Sequence, residues 1–546
     1  MGHTRLPPHN QRPFPARRIA IQAAAAAAVC LLLICGAAAQ DAGGGPAMRV
    51  PLGALEAIPL HPPAATKPEP PLPAEATTHH SLALPDRTLA FTAKAGAMVF
   101  EDPQGAAVAE IGYFAYLLDG DEPRTRPVTF VINGGPGSAS AWLQLGAMGP
   151  WRLPITQAAA HPTAAADLLP NGDTWLDFTD LVFIDPVGTG YSRFHQKDKA
   201  TRDKFWSVDG DIGSIVVFIK RWLETNGRLD SPKLFAGESY GGFRAPRVAQ
   251  ALQAMPGLAL NGIVLVSPVL ADRGAEFPGL GSALGKAVQF PSVAAAIAEA
   301  RGPVGAQQLA VFERTAVGEY LGDLLAGPRD AAAVERLALR MAALTGLDIA
   351  TVRQIGPRSA PSAFLAVLER RFGRTFSNYD ATERREAAYD GPALIDGGDD
   401  LSGLYMQLAR AMTALTQGPL GWKPQREYHA RGQGAGWSWS GQESVSALRG
   451  VLVRDPTFRV LVVHGHADLI APYLRTKLTL DQMPTVGADN SRVRLEIYGG
   501  GHMFYSRDAS RAQFRQDALR LYEEIAASKA GRAFKAGSDP SPPRSQ

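Results

Sequence analysis

LFAGESYGGFRAP, residues 234–246, is the stretch that decides how this chain is read. It carries a G-x-S-x-G pattern from Gly237 to Gly241, centred on Ser239. In a chain with 56 glycines the pattern alone is weak, so its setting matters. The short apolar run KLFAG stands before it, and FRAPRVAQALQ behind it has helical spacing. Strand, sharp turn and helix is the setting of a nucleophile elbow, which lifts a serine hydroxyl above the edge of a sheet. Gly237 and Gly241 relieve the crowding where strand and helix meet.

Other runs in the chain end in the same way. PVTFVINGGPG, DLVFIDPVGTG, NGIVLVSP, FRVLVVHGHAD and VRLEIYGGGH each combine a short apolar segment with closing turn residues. Runs rich in Val, Ile and Leu fit strands buried on both faces of a parallel sheet. Helical patterns such as DIGSIVVFIKRWLETN and RAPRVAQALQAM separate them. This alternation predicts an α/β fold with a mostly parallel central sheet. In such sheets ligands collect beyond the carboxyl ends of the strands. Upstream, RTLAFTAKAGAMVF and AEIGYFAYLLDG alternate in polarity and predict an antiparallel hairpin or meander. From about residue 272 to 440 the patterns are helical, with no buried-strand run, which predicts a cap inserted between two strands.

A serine hydroxyl needs an adjacent base to act as a nucleophile. The expected chain order is Ser, then Asp or Glu, then His, each in a loop after a later strand. VLVVHGHAD supplies Asp468 and LEIYGGGHM supplies His502, in that order. Asp468 would orient the imidazole, and His502 would take the Ser239 proton and return it to the leaving group. VINGGPGSAS, residues 131–140, ends a strand in Asn133 followed by Gly134, Gly135, Pro136 and Gly137. Such a loop exposes amides, and one of them would pair with the N–H of Tyr240 as an oxyanion hole.

His464, His466 and Asp468 form H-x-H-x-D, a pattern that raises the question of a metal. Histidines two apart leaving one strand point to opposite faces, so ordinary loop histidines are the expectation; no metal and no cofactor is expected. His429 reads as a packing or surface residue in the cap, and Arg244 and Arg247 as solvent-facing helix charges. Trp437 and Trp439 fit either a subsite or anchors that pack the cap on the core.

NGGPGSAS, LVFIDPVGTGYSR, GESYGG, GHADLIAP and GGGHMFY, in this order, resemble the blocks of the serine carboxypeptidase family of α/β-hydrolases. The resemblance covers about residues 87–530, and GESYGGFRAP and YHARGQGAGWSWSG resemble its bacterial branch. It implies hydrolysis of a C-terminal peptide bond through an acyl-enzyme. It also assigns Ser239, Asp468 and His502 to a triad and the amides of Gly135 and Tyr240 to the oxyanion hole. The substrate carboxylate would be held by Asn133, Gly134 and Glu238. Three positions depart from the family pattern: Ala147 where a second glutamic acid is expected, Val131 for a tryptophan, and Ser138 for a cysteine. Two close carboxyls raise the pKa of one of them, so that a protonated acid can donate to a carboxylate. Without that partner, Glu238 would ionise more readily and repel a substrate carboxylate unless burial keeps it protonated. The expectation is weakened peptidase activity at acidic pH, or acceptance of esters and amides as well.

The bulk numbers fit this reading. Hydrophobic content of 46% and charged content of 20% over 546 residues belong to a globular chain. Arg5, Arg12, Arg17 and Arg18 lie in the first 39 residues, which contain no acid; losing them takes the formal charge from +3 to −1. A near-neutral protein gives no electrostatic reason to expect nucleic acid or an anionic membrane as partner. Arg17-Arg18, the apolar run IAIQAAAAAAVCLLLICG and AAAQ read as a signal peptide cleaved after Ala39. An uncleaved membrane anchor is the alternative, because the run is just long enough to span. Cys30 and Cys35 both lie in this segment, so the exported chain would have no thiol.

The organisation expected is therefore a signal peptide (1–39), a Pro/Ala-rich linker (40–86), two parts of the hydrolase core (87–271 and 441–532), the cap (272–440) and a disordered tail (533–546). The function expected is that of an exported, periplasmic or secreted serine carboxypeptidase acting on peptides. A cap-bearing esterase, acyltransferase or prolyl-aminopeptidase-like hydrolase is the alternative, with a non-catalytic binding module behind it.

Overall fold

The computed structural model describes residues 70–120, 122–155, 167–196, 198–271, 280–386, 401–432, 437–484 and 491–537. The expected signal peptide, most of the linker and most of the tail lie outside these residues. Among the described residues the central sheet has ten strands. They are β1 (Ala76–Ala83), β2 (Thr88–Glu101), β3 (Ala107–Leu118), β4 (Val128–Ile132) and β5 (Asp180–Ile184). There follow β6 (Arg193–Phe194), β7 (Lys233–Glu238), β8 (Gly262–Val266), β9 (Arg459–Gly465) and β10 (Val493–Tyr498). The spatial order is β1-β2-β3-β5-β4-β7-β8-β9-β10, with β6 paired to β3.

From β5 to β10 every neighbouring pair is parallel, whereas β1, β2, β3 and β5 pair antiparallel. Each of the six apolar runs singled out in the sequence is one of these parallel strands. All residues of β4, β5, β7 and β8 are buried, as expected for strands covered on both faces. Alternate side chains feed two cores. Val131, Phe183, Ala236 and Val264 pack with helices on one face. Phe130, Val182, Phe235 and Ile263 pack on the other against α1 (Val208–Thr225) and α2 (Tyr240–Gln253). The order of elements around the Ser239 turn makes this an α/β-hydrolase fold.

Two stretches differ from the expectation. β1 lies within the presumed linker and pairs along its whole length with β2. The prolines on either side masked its alternating pattern, in which Leu82 faces the core. Between β8 and β9 the described residues include α3 (Leu280–Glu299), α4 (Ser402–Gln417) and several shorter helices. A small antiparallel hairpin, Arg374–Phe376 with Arg384–Glu386, interrupts them. Residues of α4, including Leu404 and Leu408, pack into the same core as β4 and β5.

Candidate active site

β7 ends at Glu238, α2 begins at Tyr240, and Ser239 makes the whole turn between them. Its backbone sits at φ 58° and ψ −117°, a conformation that is sparsely populated for a residue with a Cβ. The neighbouring strand over-determines it. The Ser239 amide donates to the Val266 carbonyl at 2.9 Å, and the Ser239 carbonyl accepts from Val269 at 3.1 Å. A Cβ on Gly237 would collide with the Gly241 carbonyl, and one on Gly241 would lie 2.8 Å from the Ile132 carbonyl. The glycines of the motif are therefore required by the close approach of strand, turn and helix.

Asp468 follows β9 and is fully buried. Its Oδ1 accepts from the amides of Ile470 and Ala471, each at 2.8 Å. Its Oδ2 lies 2.7 Å from His502 Nδ1. Donation from Nδ1–H to the carboxylate fixes the tautomer in which Nε2 carries the lone pair that can accept a proton. The backbone of His502 is tied at both ends: its amide donates to the Tyr379 carbonyl at 2.5 Å and its carbonyl accepts from Ser267 Oγ at 2.8 Å. The Tyr379 ring meets the imidazole edge to face at 5.6 Å.

Ser239 and His502 line one cavity of about 100 Å³ together with Asn133, Gly134, Gly135 and Glu238. A cavity of this size is smaller than a site that encloses a whole small molecule, and suits the end of a longer ligand. Tyr405 of α4, Trp142 and Met503 also contribute to its walls.

The Gly-rich loop rests directly on the elbow. A Cβ on Gly134 would lie 2.5 Å from the Tyr240 nitrogen and 2.6 Å from the Glu238 carbonyl oxygen. Gly135 and Gly137 take φ values of 105° and 98°, the left-handed side that favours glycine. The loop is held from beneath by Arg244, whose Nη1 donates to the Asn133 carbonyl at 2.7 Å. Asp211 of α1 grips the same guanidinium through Nε at 2.7 Å and Nη2 at 3.1 Å. Arg244 is 0% exposed, so it is not the solvent-facing charge that the sequence suggested. Its partner Asp211 lies one helix upstream, and no local pattern links the two. Arg247 is half-buried and reaches the Glu443 carbonyl at 2.5 Å. From the other side, Ala139 donates to the Ala430 carbonyl at 3.0 Å and Gly432 to the Gly137 carbonyl at 2.8 Å.

Glu238 is 3% exposed. Its Oε2 accepts from Asn133 Nδ2 at 2.7 Å and from the Tyr505 hydroxyl at 2.8 Å. Burial pushes its pKa up to about 7, against the opposing pull of His502 and of these two donors. The condition left open by the sequence, burial that keeps Glu238 protonated, is therefore met below neutral pH. Tyr505 was missed as a site residue, although GGGHMFY contains it three positions after His502. Tyr405 was missed as well; it lies in α4, and its hydroxyl is 3.1 Å from Ser138 Oγ.

The remaining candidates lie apart from this cavity or behind it. His464 is fully buried within β9, and His466 pairs with Glu299 of α3 at 2.7 Å. Among the described residues no three His, Cys, Asp or Glu side chains cluster as metal ligands would. Trp439 packs on Tyr240 at 5.0 Å and on Phe243 at 5.4 Å, while Trp437 stacks on Trp206 at 5.9 Å. Trp437 Nε1 also donates to the Tyr240 hydroxyl at 3.3 Å, so both tryptophans pack against α2. His429 exchanges backbone hydrogen bonds with Gly190. Ala147 is buried in the helical turn Gln144–Met148, and Val131 is buried in β4.

Residues 87–273 match the family model described as serine carboxypeptidase. Over 124 residues the chain is 30% identical to a pheromone-processing carboxypeptidase kex1 of Aspergillus clavatus, covering 22% of this chain and 18% of that protein. Over 148 residues it is 32% identical to the serine carboxypeptidase-like 44 protein of Arabidopsis thaliana, covering 26% of this chain and 27% of that protein. These matches span only a minor part of the length of either relative. Among solved structures, a prohormone-processing carboxypeptidase of Saccharomyces cerevisiae, Kex1(Δ)p, aligns with a TM-score of 0.49 at 15% identity. That alignment covers 79% of this chain and 91% of the other.

Proposed function

We propose that the protein is a serine carboxypeptidase, which releases the last residue of a peptide through an acyl-enzyme on Ser239. The observation that carries the reading is the convergence of a strained Ser239, an Asp468–His502 pair and a protonatable Glu238 on one small cavity. The family match over residues 87–273 supports the same chemistry.

In this reading His502 Nε2 takes the proton of Ser239 Oγ as the oxygen attacks the scissile carbonyl. Asp468 stabilises the imidazolium that forms. The oxyanion of the tetrahedral intermediate is bound by the N–H groups of Gly135 and Tyr240. As the C–N bond breaks, His502 gives the proton to the leaving amine. Water then attacks the ester, His502 accepts its proton, and the same proton returns to Ser239 Oγ as the acid product departs. The carboxylate of the departing residue is bound by Asn133, Gly134 and a protonated Glu238. One N–H of Asn133 Nδ2 is engaged by Glu238 and the second is left for a ligand. We further propose that the chain is exported behind residues 1–39, with residues 87–271 and 441–532, extended by β1, as its core and 272–440 as a cap. GESYGGFRAP and YHARGQGAGWSWSG carry its placement in the bacterial branch, although the relatives described above are fungal and plant.

The test is labelling with a fluorophosphonate probe, followed by mass spectrometry of peptides incubated with the protein. The expected result is stoichiometric labelling that Ser239→Ala abolishes, with peptides shortened one residue at a time from the C-terminus. Labelling accompanied by ester hydrolysis but no peptide shortening would favour the esterase reading. Absence of labelling in the folded protein would overturn the enzyme.

A further inference from the structure

We infer that the Tyr505 hydroxyl is the positioning group that holds the acidic proton of Glu238 on Oε1, where it meets the carboxylate of the substrate. The inference rests on the carboxypeptidase reading; burial keeps the proton on Glu238, and Tyr505 bears on which oxygen carries it.

Two donors, Tyr505 Oη and Asn133 Nδ2, converge on the same oxygen, Oε2. Among the described residues nothing donates to Oε1, and Glu238 lines the cavity that contains Ser239. An oxygen that already accepts two hydrogen bonds is the poorer site for a proton, because an O–H there would displace one donor. The proton of the neutral acid therefore resides on Oε1, and that O–H is the donor a carboxylate in the cavity would meet. A lone buried acid without this bias would distribute its proton over both oxygens and face the ligand with a lone pair about half of the time.

The Tyr505 ring is fixed in place. It packs so closely on Gly146 that a Cβ there would lie 2.7 Å from Tyr505 Cε2, and Gly146 adjoins Ala147. The ring is fully buried, and its phenol is itself held protonated by burial and by the neighbouring Glu238 charge. The other groups that act on Glu238 are His502 and Asp468 from the loops after β10 and β9, and Tyr405 of α4 feels its charge in turn. His502 and the two donors favour the ionised form, whereas Asp468 disfavours it. Removing the Tyr505 hydroxyl thus has a defined sign: Glu238 should hold its proton to higher pH, with only Asn133 Nδ2 left to bias that proton toward Oε1.

The experiment measures kcat and KM on a blocked dipeptide and on its C-terminal amide from pH 5 to pH 9, for the unsubstituted protein and for Tyr505→Phe. Phenylalanine keeps the ring that packs on Gly146. The ratio of kcat/KM for acid over amide at pH 5 should fall about three- to tenfold, through KM, the size expected for one hydrogen bond. The midpoint at which the acid preference is lost should move upward. A site-specifically fluorinated tyrosine at position 505, a stronger donor of the same shape, should move that midpoint downward. Tyr505→Phe serves only if it folds; the fluorinated residue tests the same sign without that condition. An unsubstituted protein with no preference for acid overturns the carboxypeptidase reading and this inference with it. A preference that neither change alters in size or midpoint overturns the role of Tyr505 alone.

Discussion

Two buried carboxyls belong to the candidate site, Glu238 in the wall of the cavity and Asp468 bonded to His502, and the chain around them treats them in opposite ways. Asp468 sits in a turn that aims two backbone amides at one oxygen and an imidazole N–H at the other. Glu238 ends a strand whose amides are committed to the sheet, and it receives two side-chain donors on a single oxygen. Backbone amides converging on one oxygen, with an imidazole N–H on the other, would suit a carboxylate that stabilises an imidazolium. Two neutral donors on one oxygen do not offset the burial of Glu238, which pushes its pKa up to about 7. Burial alone therefore does not decide the role of a carboxyl; the number and placement of its donors do.

The largest expected effect breaks the charged member of this pair. Asp468→Asn removes the carboxylate and disfavours the tautomer that His502 needs. It should lower kcat about 10⁴-fold while leaving the thermal midpoint little changed. Parity between the variant and the unsubstituted protein would remove Asp468 from the mechanism.

A third buried carboxyl, Asp211, sharpens the comparison, because its charge is balanced by Arg244 at 2.7 Å. Arg244→Met leaves Asp211 unpaired and should destabilise the protein by about 3–5 kcal/mol in urea titrations. It also releases the Asn133 carbonyl, so kcat should fall even where the variant remains folded. A loss below 1 kcal/mol would mean that water or a neighbour takes over the pairing of Asp211.

The neutral member of the pair affects stability through pH. At pH values below its ordinary 4.5, Glu238 is protonated whether the chain is folded or unfolded, and contributes no pH dependence. As pH rises from there, the unfolded chain ionises first and folding is increasingly opposed until the folded group ionises near 7. The penalty at pH 8 is about 3 kcal/mol as an order of magnitude. Glu238→Gln removes it, so the variant should gain stability relative to the unsubstituted protein between pH 4.5 and pH 7. Asp185 is likewise pushed up to about 7 by burial, which is why the difference between the two proteins is the quantity to follow. Parallel stability curves across this range would show that Glu238 ionises normally.

The sequence made one of these two regions legible and left the other half dark. The pairing of Asp468 with His502 could be anticipated because each follows an apolar run, and the parallel strands announce themselves by composition. The six parallel strands, β4, β5 and β7 to β10, were readable for the same reason. The environment of Glu238 was not, because its donors come from Asn133, 105 positions away, and Tyr505, 267 positions away. Contacts of that separation leave no local period. Arg244 looked like a surface charge on an amphipathic helix because its burial depends on a single acid in another helix. β1 was hidden by its proline-rich flanks, which suggested an extended and unpaired chain.

The measurement that bears most directly on the account is the pH dependence of kcat/KM for a blocked dipeptide against its C-terminal amide. If Glu238 acts as a protonated donor to the substrate carboxylate, the acid is preferred below pH 6, and the preference fades as pH rises through about 7. In Glu238→Gln, whose amide donates at every pH, that preference persists into the alkaline range. Equal rates on acid and amide at every pH would contradict the account and return the protein to the wider class of serine hydrolases.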